Sequence, residues 1–325
     1  MKILLVDDDP LILELVPLMT AKLGYSDVTA VSSAERGWQL LNTDNVIYDC
    51  LLFDIVMPGM DGVELCGLTR TIASYRKTPI IMLTLMAGQS YIDRAFKAGA
   101  TDYVTKPLNI VELGARLRMA DEVVTARQNA SVANIFSGHQ PLKASHEPPF
   151  SLADEIEITG FGKFVSYASL GNYLAQLSRA GLGGSRVIAI TMDQSEAIYL
   201  RGSPDEFDYA VYETADAICE AFKTRDFLAA YKGSGIFVIV IAQGTSALPH
   251  DMEREIQYLL DEKDIEYDDG SPLDINVSVG SPVIPSLNNA RSAIRTCDRA
   301  IARAQNRREQ KIEVSPTVNI RIVGR

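Results

Sequence analysis

Basic charge is scarce in this 325-residue chain: 31 lysines and arginines face 42 aspartates and glutamates, a formal net charge of −11. A nucleic-acid backbone is met by a basic face, so this balance argues against DNA as a partner. No apolar run approaches the roughly 20 residues needed to cross a bilayer, and no signal peptide opens the sequence. No membrane partner is expected, and the expected compartment is cytoplasmic. Cysteines number four (Cys50, Cys66, Cys219 and Cys297) and show no metal-ligand spacing, which suits reduced, mostly buried thiols. No histidine precedes His139. Ser/His and Cys/His nucleophile schemes therefore have no base in the first half of the chain.

Against these absences stands one abrupt feature. The apolar run Leu51-Leu52-Phe53 ends at Asp54, and Ile55-Val56-Met57-Pro58-Gly59-Met60-Asp61-Gly62 turns the chain at once. A fully buried strand reads this way and delivers one acid to its C-terminal edge. Alone, a strand-end Asp is more often a cap or turn former. Here further strands end comparably: Lys2 to Val6 in Asp7-Asp8-Asp9, Pro79 to Leu83 in Thr84, and Asp102 to Thr105 in Lys106-Pro107. Helical patterns lie between, over Leu11–Leu23, Ala34–Leu41, Val63–Ala73, Ser90–Ala98 and Asn109 to about Val124. This alternation predicts an α/β fold, a doubly wound parallel sheet with its ligands at the strand C-termini.

Carboxylates from Asp7, Asp8 and Asp54 brought to one edge repel one another unless a cation joins them. Hard oxygen ligands with room for water favour Mg²⁺. With that charge offset, Asp54 stays ionised and can act as a nucleophile on phosphorus. Lys106 would then pair with one phosphoryl oxygen and the Thr84 hydroxyl with another.

Residues 1–122 resemble the receiver domain of two-component response regulators, carrying the Asp pair, the D-x-x-M-P-x-M-D-G turn, the Thr and the Lys-Pro in order. The resemblance implies a five-stranded flavodoxin-like fold and Asp54 as phosphoacceptor. It also implies Tyr103 as an aromatic switch that swings inward on phosphorylation, and a cis Lys106–Pro107 peptide. A histidine kinase or phosphotransfer protein is the implied partner, and phosphorylation-promoted homodimers are expected. Leu85, directly after Thr84, replaces a usually small residue and is expected to narrow access to the phosphoryl group.

At this length a second domain is expected. Residues 123–158 read as a helix extension and linker. Helical periodicity fades after about Arg127, and Ser137 to Pro149 is rich in turn and breaker residues. His139 and His146 lie in that stretch and read as solvated. Beyond it the pattern is α+β with an antiparallel-leaning sheet. Strands are expected at Arg186–Thr191, Phe227–Tyr231, Ile236–Ile241 and Ile275–Gly280, and helices at Asp205–Phe222, Met252–Glu262 and Asn288–Asn306. No helix-turn-helix pattern follows the first domain.

Residues 159–325 read as the second domain, and about Phe161 to Arg308 of it resemble a degenerate GGDEF domain of the diguanylate cyclases. The pieces that carry this are Val277-Ser278-Val279-Gly280, Cys297-Asp298-Arg299-Ala300-Ile301-Ala302-Arg303-Ala304 and Asp226-Phe227-Leu228-Ala229-Ala230-Tyr231. The resemblance puts Thr191 where the family has a metal-binding Asp, Tyr199 where it has a base-contacting Asn, and Gln305 where it has a phosphate-contacting Lys. The signature hairpin falls on Lys232-Gly233-Ser234-Gly235, with Ser234 at the second metal position. Hydroxyls do not replace two Mg²⁺ carboxylates, so no cyclase activity is expected, and the chain is not read as an enzyme. Asp208 and the product-inhibition positions Lys223, Arg225 and Asp226 are the expected residues for any remaining contact with cyclic di-GMP. Three functions follow: a signalling adaptor with a non-catalytic second domain, a guanine-nucleotide sensor without turnover, and, least favoured, an active cyclase. The alternating tail Val318–Val323 reads as an edge strand without an assigned role.

Overall fold

The computed structural model describes residues 1–314 apart from 44–45, 86–87, 137–150, 180–184, 242–250 and 286–289. The linker histidines His139 and His146 and the tail 315–325 thus lie outside the described residues. The chain forms two compact units, one of Met1–Glu147 with Ala168–Leu182, the other of Pro148–Tyr167 with Gly183–Arg325.

In the first unit, β1 (Ile3–Val6), β2 (Val28–Val31), β3 (Cys50–Asp54), β4 (Ile80–Thr84) and β5 (Asp102–Thr105) make one sheet in the order β2-β1-β3-β4-β5. Every pairing is parallel. β1, β3 and β4 are buried along their whole length because helices cover both faces, which explains their unbroken apolar runs. One face packs on α1 (Pro10–Lys22) through Ile12, Val16 and Met19, and on α5 (Ile110–Phe136) through Leu113 and Leu117. Pro10 opens α1 behind the Asp9 cap, where a missing N–H costs nothing. α2 (Ala34–Thr43) and α3 (Gly62–Thr71) follow β2 and β3, and α4 (Gln89–Lys97) follows β4. The Lys106–Pro107 peptide is cis, as the receiver resemblance implies. α5 continues well past the point where its apolar periodicity fades.

α6 (Tyr167–Arg179), absent from the sequence reading, joins the first unit from Ala168 onward. Leu170, Tyr173, Leu174 and Leu177 are its buried stripe, spaced i, i+3, i+4 and i+7.

The second unit holds β6 (Arg186–Met192), α7 (Ser195–Arg201), α8 (Pro204–Ala221), β7 (Phe227–Gly233), β8 (Ile236–Ile241), α9 (Met252–Asp261), β9 (Val277–Val279) and α10 (Ala290–Val314). Its sheet order is β7-β8-β6-β9 and every pairing is antiparallel. This is the split βαβ arrangement. α8 opens on a capping box between Ser203 and Glu206. Phe207, Val211 and Ile218 of α8 join Ile256 and Leu260 of α9 in the core beneath the sheet. α10 approaches the chain just past β9 where Gly280 lies; a Cβ there would stand 2.7 Å from the Ala304 nitrogen.

Candidate functional site

The parallel sheet brings Asp7, Asp54, Thr84 and Lys106 to one edge, each at or just past a strand end. Asp54 pairs in register with Leu83, and the Lys106 N–H donates to the Thr84 carbonyl at 2.6 Å. The Lys106 ammonium lies 2.8 Å from Asp7 Oδ2 and 3.2 Å from Asp54 Oδ1. Ligand oxygens of Asp7, Asp8 and Asp54 all fall within 4.8 Å of one another, with Asp7 and Asp54 buried and Asp8 exposed. Among the described residues this is the one group of three acids or metal-ligand side chains so placed. Burial pushes the Asp54 carboxyl up to about 6; the Lys106 ammonium opposes the rise and the Asp7 carboxylate adds to it. Burial also raises Asp7, against the pull of Lys106. One ammonium against three carboxylates leaves the edge short of positive charge, and a hard divalent cation fits that donor set.

The turn after β3 is shaped to expose Asp54. Gly62 N–H donates to the Ile55 carbonyl at 3.0 Å, and a Cβ on Gly62 would lie 1.8 Å from the Asp54 carbonyl oxygen. Asp61 caps α3 by accepting from the Glu64 N–H at 2.7 Å and pairs with Arg94 at 2.9 Å. Thr84 is fully buried, and so is the Tyr103 ring. Burial pushes that phenol up to about 12, with the Thr84 hydroxyl pulling the other way. Leu85 stands at the rim, 76% exposed.

In the second unit the nominated residues form two groups at opposite ends of β7. Lys223, Arg225 and Asp226 precede the strand; Lys232, Gly233, Ser234 and Gly235 close it, about 20 Å away along an extended chain. Lys223 pairs with Glu220, Asp226 lies 3.4 Å from Lys163, and the half-buried Arg225 sits over the Phe222 ring. Asp208 is exposed on α8, and the Tyr199 ring packs edge-on against Phe207.

At the hairpin, Gly233, Ser234 and Gly235 all take positive φ. Its backbone is already engaged. The Ser234 N–H donates to the Leu152 carbonyl at 2.6 Å, and a Cβ on Gly233 would stand 2.2 Å from the Ala153 carbonyl oxygen. The Gly235 N–H donates to the Tyr231 hydroxyl at 3.0 Å. Nearby, the buried Thr191 hydroxyl donates to Asp193 at 3.2 Å and Ser278 donates to the same carboxylate at 2.9 Å. Lys311 brings an ammonium to 3.7 Å from Asp193 and 3.6 Å from Glu253, and donates to the Val277 carbonyl at 2.8 Å. Arg307 completes the network on Glu253 at 2.9 Å. Sequence reasoning found neither this network nor the Leu152–Ala153 strap, because both depend on residues far apart in the chain.

A strand-end carboxylate group, a buried hydroxyl and a lysine at the carboxyl edge of a 2-1-3-4-5 parallel sheet define a doubly wound α/β protein built to hold a cation and an anion together. Residues 3–118 match the response regulator receiver domain family. The transcriptional regulatory protein YvrH of Bacillus subtilis (strain 168) is 36% identical over 116 residues, 36% of this chain and 47% of that protein. This chain therefore spans about half the length of that relative. The chemotaxis protein CheY1 of Helicobacter pylori (strain ATCC 700392 / 26695) is 33% identical over 107 residues, 33% of this chain and 86% of that protein. Among solved structures, the receiver domain of sensor histidine kinase PA1611 from Pseudomonas aeruginosa PAO1 is described with a magnesium ion coordinated in its active-site cleft. It is 31% identical with a TM-score of 0.34, over 38% of this chain and 97% of that one. The chain belongs to the response regulator receiver family through its first unit.

Proposed function

We propose that this protein is a response regulator phosphorylated on Asp54, and that its second unit transmits the state of that residue through protein contacts without catalysis. The observation that carries the first half is Lys106 bridging Asp7 and Asp54 beside Asp8. Asp7, Asp8 and Asp54 would hold Mg²⁺, which supplies charge neutralisation for an incoming phosphoryl group. Asp54 Oδ attacks phosphorus, the bond to the donor's histidine nitrogen breaks, and the imidazole leaves with its electron pair and takes up a proton. Lys106 exchanges its bond to Asp54 for one to a phosphoryl oxygen, and Thr84 supplies a hydroxyl on the other side. A histidine kinase or phosphotransfer protein is the donor in this reading.

The reading of the second unit as a degenerate GGDEF-like domain rests on its motifs and on an antiparallel split βαβ order that suits them. Phosphodiester formation from GTP needs divalent metal bound by carboxylates. Thr191 and Ser234 are hydroxyls, and Asp193 is compensated by the chain's own Lys311. The strap at Leu152–Ala153 lies against the hairpin glycine that would have to admit a phosphate. These features support absence of turnover and favour an interaction or dimerisation role.

Three assays on the full chain test this function. With Mg²⁺ and GTP, no cyclic di-GMP should form; product would defeat the non-catalytic reading. Titration calorimetry with cyclic di-GMP should show no heat, whereas micromolar binding abolished by Asp226→Ala would move the second unit to a ligand sensor. Sedimentation should show self-association promoted by beryllofluoride, a phosphoryl mimic, and an unchanged monomer would remove the dimer from the reading.

A further inference from the structure

β9 is an edge strand of the second unit's sheet. Its surroundings in sequence, Ile275-Asn276-Val277-Ser278-Val279-Gly280, are uncharged and rich in β-branched residues, and residues 275–285 hold no charged side chain. Proline stands only past the strand, at Pro282 and Pro285. A bare edge of this composition is a template for another chain, and proteins ordinarily guard such edges with charges or prolines of their own.

Here the guard comes from two helices. The Asp193 N–H donates to the Asn276 carbonyl and the Gly280 N–H to the Ala189 carbonyl, so alternation turns the backbone groups of Val277 and Val279 away from β6. α9 takes both outward N–H groups: Gln257 Oε1 accepts from Val277 at 3.1 Å and Glu253 Oε2 from Val279 at 3.0 Å. Gln257 Nε2 also donates to the Ile275 carbonyl at 2.9 Å. One side-chain amide thus bridges a carbonyl and the N–H two residues on, as the backbone of a parallel neighbour would. α10 supplies donors to outward carbonyls, Lys311 to Val277 at 2.8 Å and Arg303 to Ser281 at 3.2 Å. Arg307 donates to both Glu253 oxygens, at 3.1 and 2.9 Å, and holds that carboxylate in place. Glu253 and Gln257 are spaced i, i+4 on α9, and Arg303, Arg307 and Lys311 repeat that spacing on α10, so each helix presents one polar row. β7, at the other edge, is met by backbone instead: the Val165 N–H donates to the Ala229 carbonyl and the Ala229 N–H to the Lys163 carbonyl, each at 2.9 Å.

We propose that these two polar rows are a side-chain seal on β9, which keeps the second unit from pairing strand to strand with a second copy of this chain. A second copy is the strand donor of matching chemistry, because it carries the same uncharged edge and two such edges pair about a twofold axis. An incoming strand must break the bonds of Gln257, Glu253 and Lys311 before it makes its own. The seal does not depend on phosphoryl transfer at Asp54, and self-association promoted by phosphorylation uses another surface.

Amide exchange and sedimentation of the full chain, both without beryllofluoride, test the seal. In the parent, Val277 and Val279 should exchange slowly at every protein concentration. Gln257→Ala and Glu253→Ala, which add no large apolar side chain, should speed exchange at Val277 and Val279 respectively by about threefold to tenfold in dilute solution, the worth of one hydrogen bond. On concentration both variants should self-associate, and protection of residues 275–280 should return. Glu253→Gln keeps an acceptor oxygen for Val279 and should sediment as the parent does. Rapid exchange at Val277 and Val279 in the parent overturns the seal, whether or not any variant folds. Variants that open the edge yet keep the parent's sedimentation at all concentrations overturn its protective role, and so does association of Glu253→Gln equal to that of Glu253→Ala.

Discussion

Lys106, held between two buried aspartates, sets the resting electrostatics of the site. Its single charge does not match both carboxylates, and burial drives Asp54 up to about 6. The fold therefore concentrates negative charge at this edge that a cation would offset. Asp54→Asn should raise stability in urea at neutral pH without divalent ions, by about 1–3 kcal/mol. Lys106→Met should do the opposite, costing about 3–5 kcal/mol, because it leaves buried carboxylates without a partner. Equal stability of the two variants and the parent would show that the group is solvated and unstrained. Asp7, Asp54, Thr84 and Lys106 were legible in the sequence because each ends or follows an apolar run, and a parallel sheet gathers such ends. Asp8, Gly62 and Tyr103 were legible through motif spacing alone. Arg116, Tyr173 and Gln176 were not, since nothing local marks a polar side chain whose partner lies on another element.

At the scale of elements, close backbone approach and ion pairing hold what propensity does not. Gly62 brings the start of α3 against the end of β3, so Gly62→Ala should destabilise the first unit by about 2–4 kcal/mol in a denaturant titration and slow phosphorylation. α10 runs to Val314, beyond the helix expected to end near Asn306. The added turns are charged and carry no apolar period, and Arg307 and Lys311 fasten them to Glu253. Burial raises the Glu253 carboxyl, but Arg307, the Val279 N–H and Lys311 outweigh it and leave it below the ordinary 4.5. A carboxyl lowered in the folded state stabilises above its unfolded value, and that contribution fades as pH falls through the folded one. Glu253→Gln should thus cost about 1–2 kcal/mol at pH 7, a difference that shrinks as pH falls below 4.5 and is lost through the lowered folded value. A penalty unchanged at acid pH would mean that packing, and not charge, accounts for it. The strands β1, β3, β4, β7 and β8 were plain in the sequence as long buried runs. β2 is only half-buried, so no continuous apolar run marks it. α6 carries an apolar stripe at helical spacing, but no element is assigned to it at the sequence level.

For the whole molecule, the two units differ in what they keep. The first retains a complete set of strand-end groups for accepting a phosphoryl group. The second has a core and an antiparallel sheet, in which Thr191 and Ser278 donate to Asp193 and Lys311 stands beside that carboxylate. Phosphorylation of Asp54 is the central claim of the proposed function. The direct measurement is mass spectrometry of the full chain after incubation with acetyl phosphate and Mg²⁺, followed by peptide mapping. One added phosphoryl group, located on Asp54, dependent on Mg²⁺ and absent from Asp54→Asn, is the expected result. An unmodified chain, or a phosphoryl group carried equally well by Asp54→Asn, would contradict it.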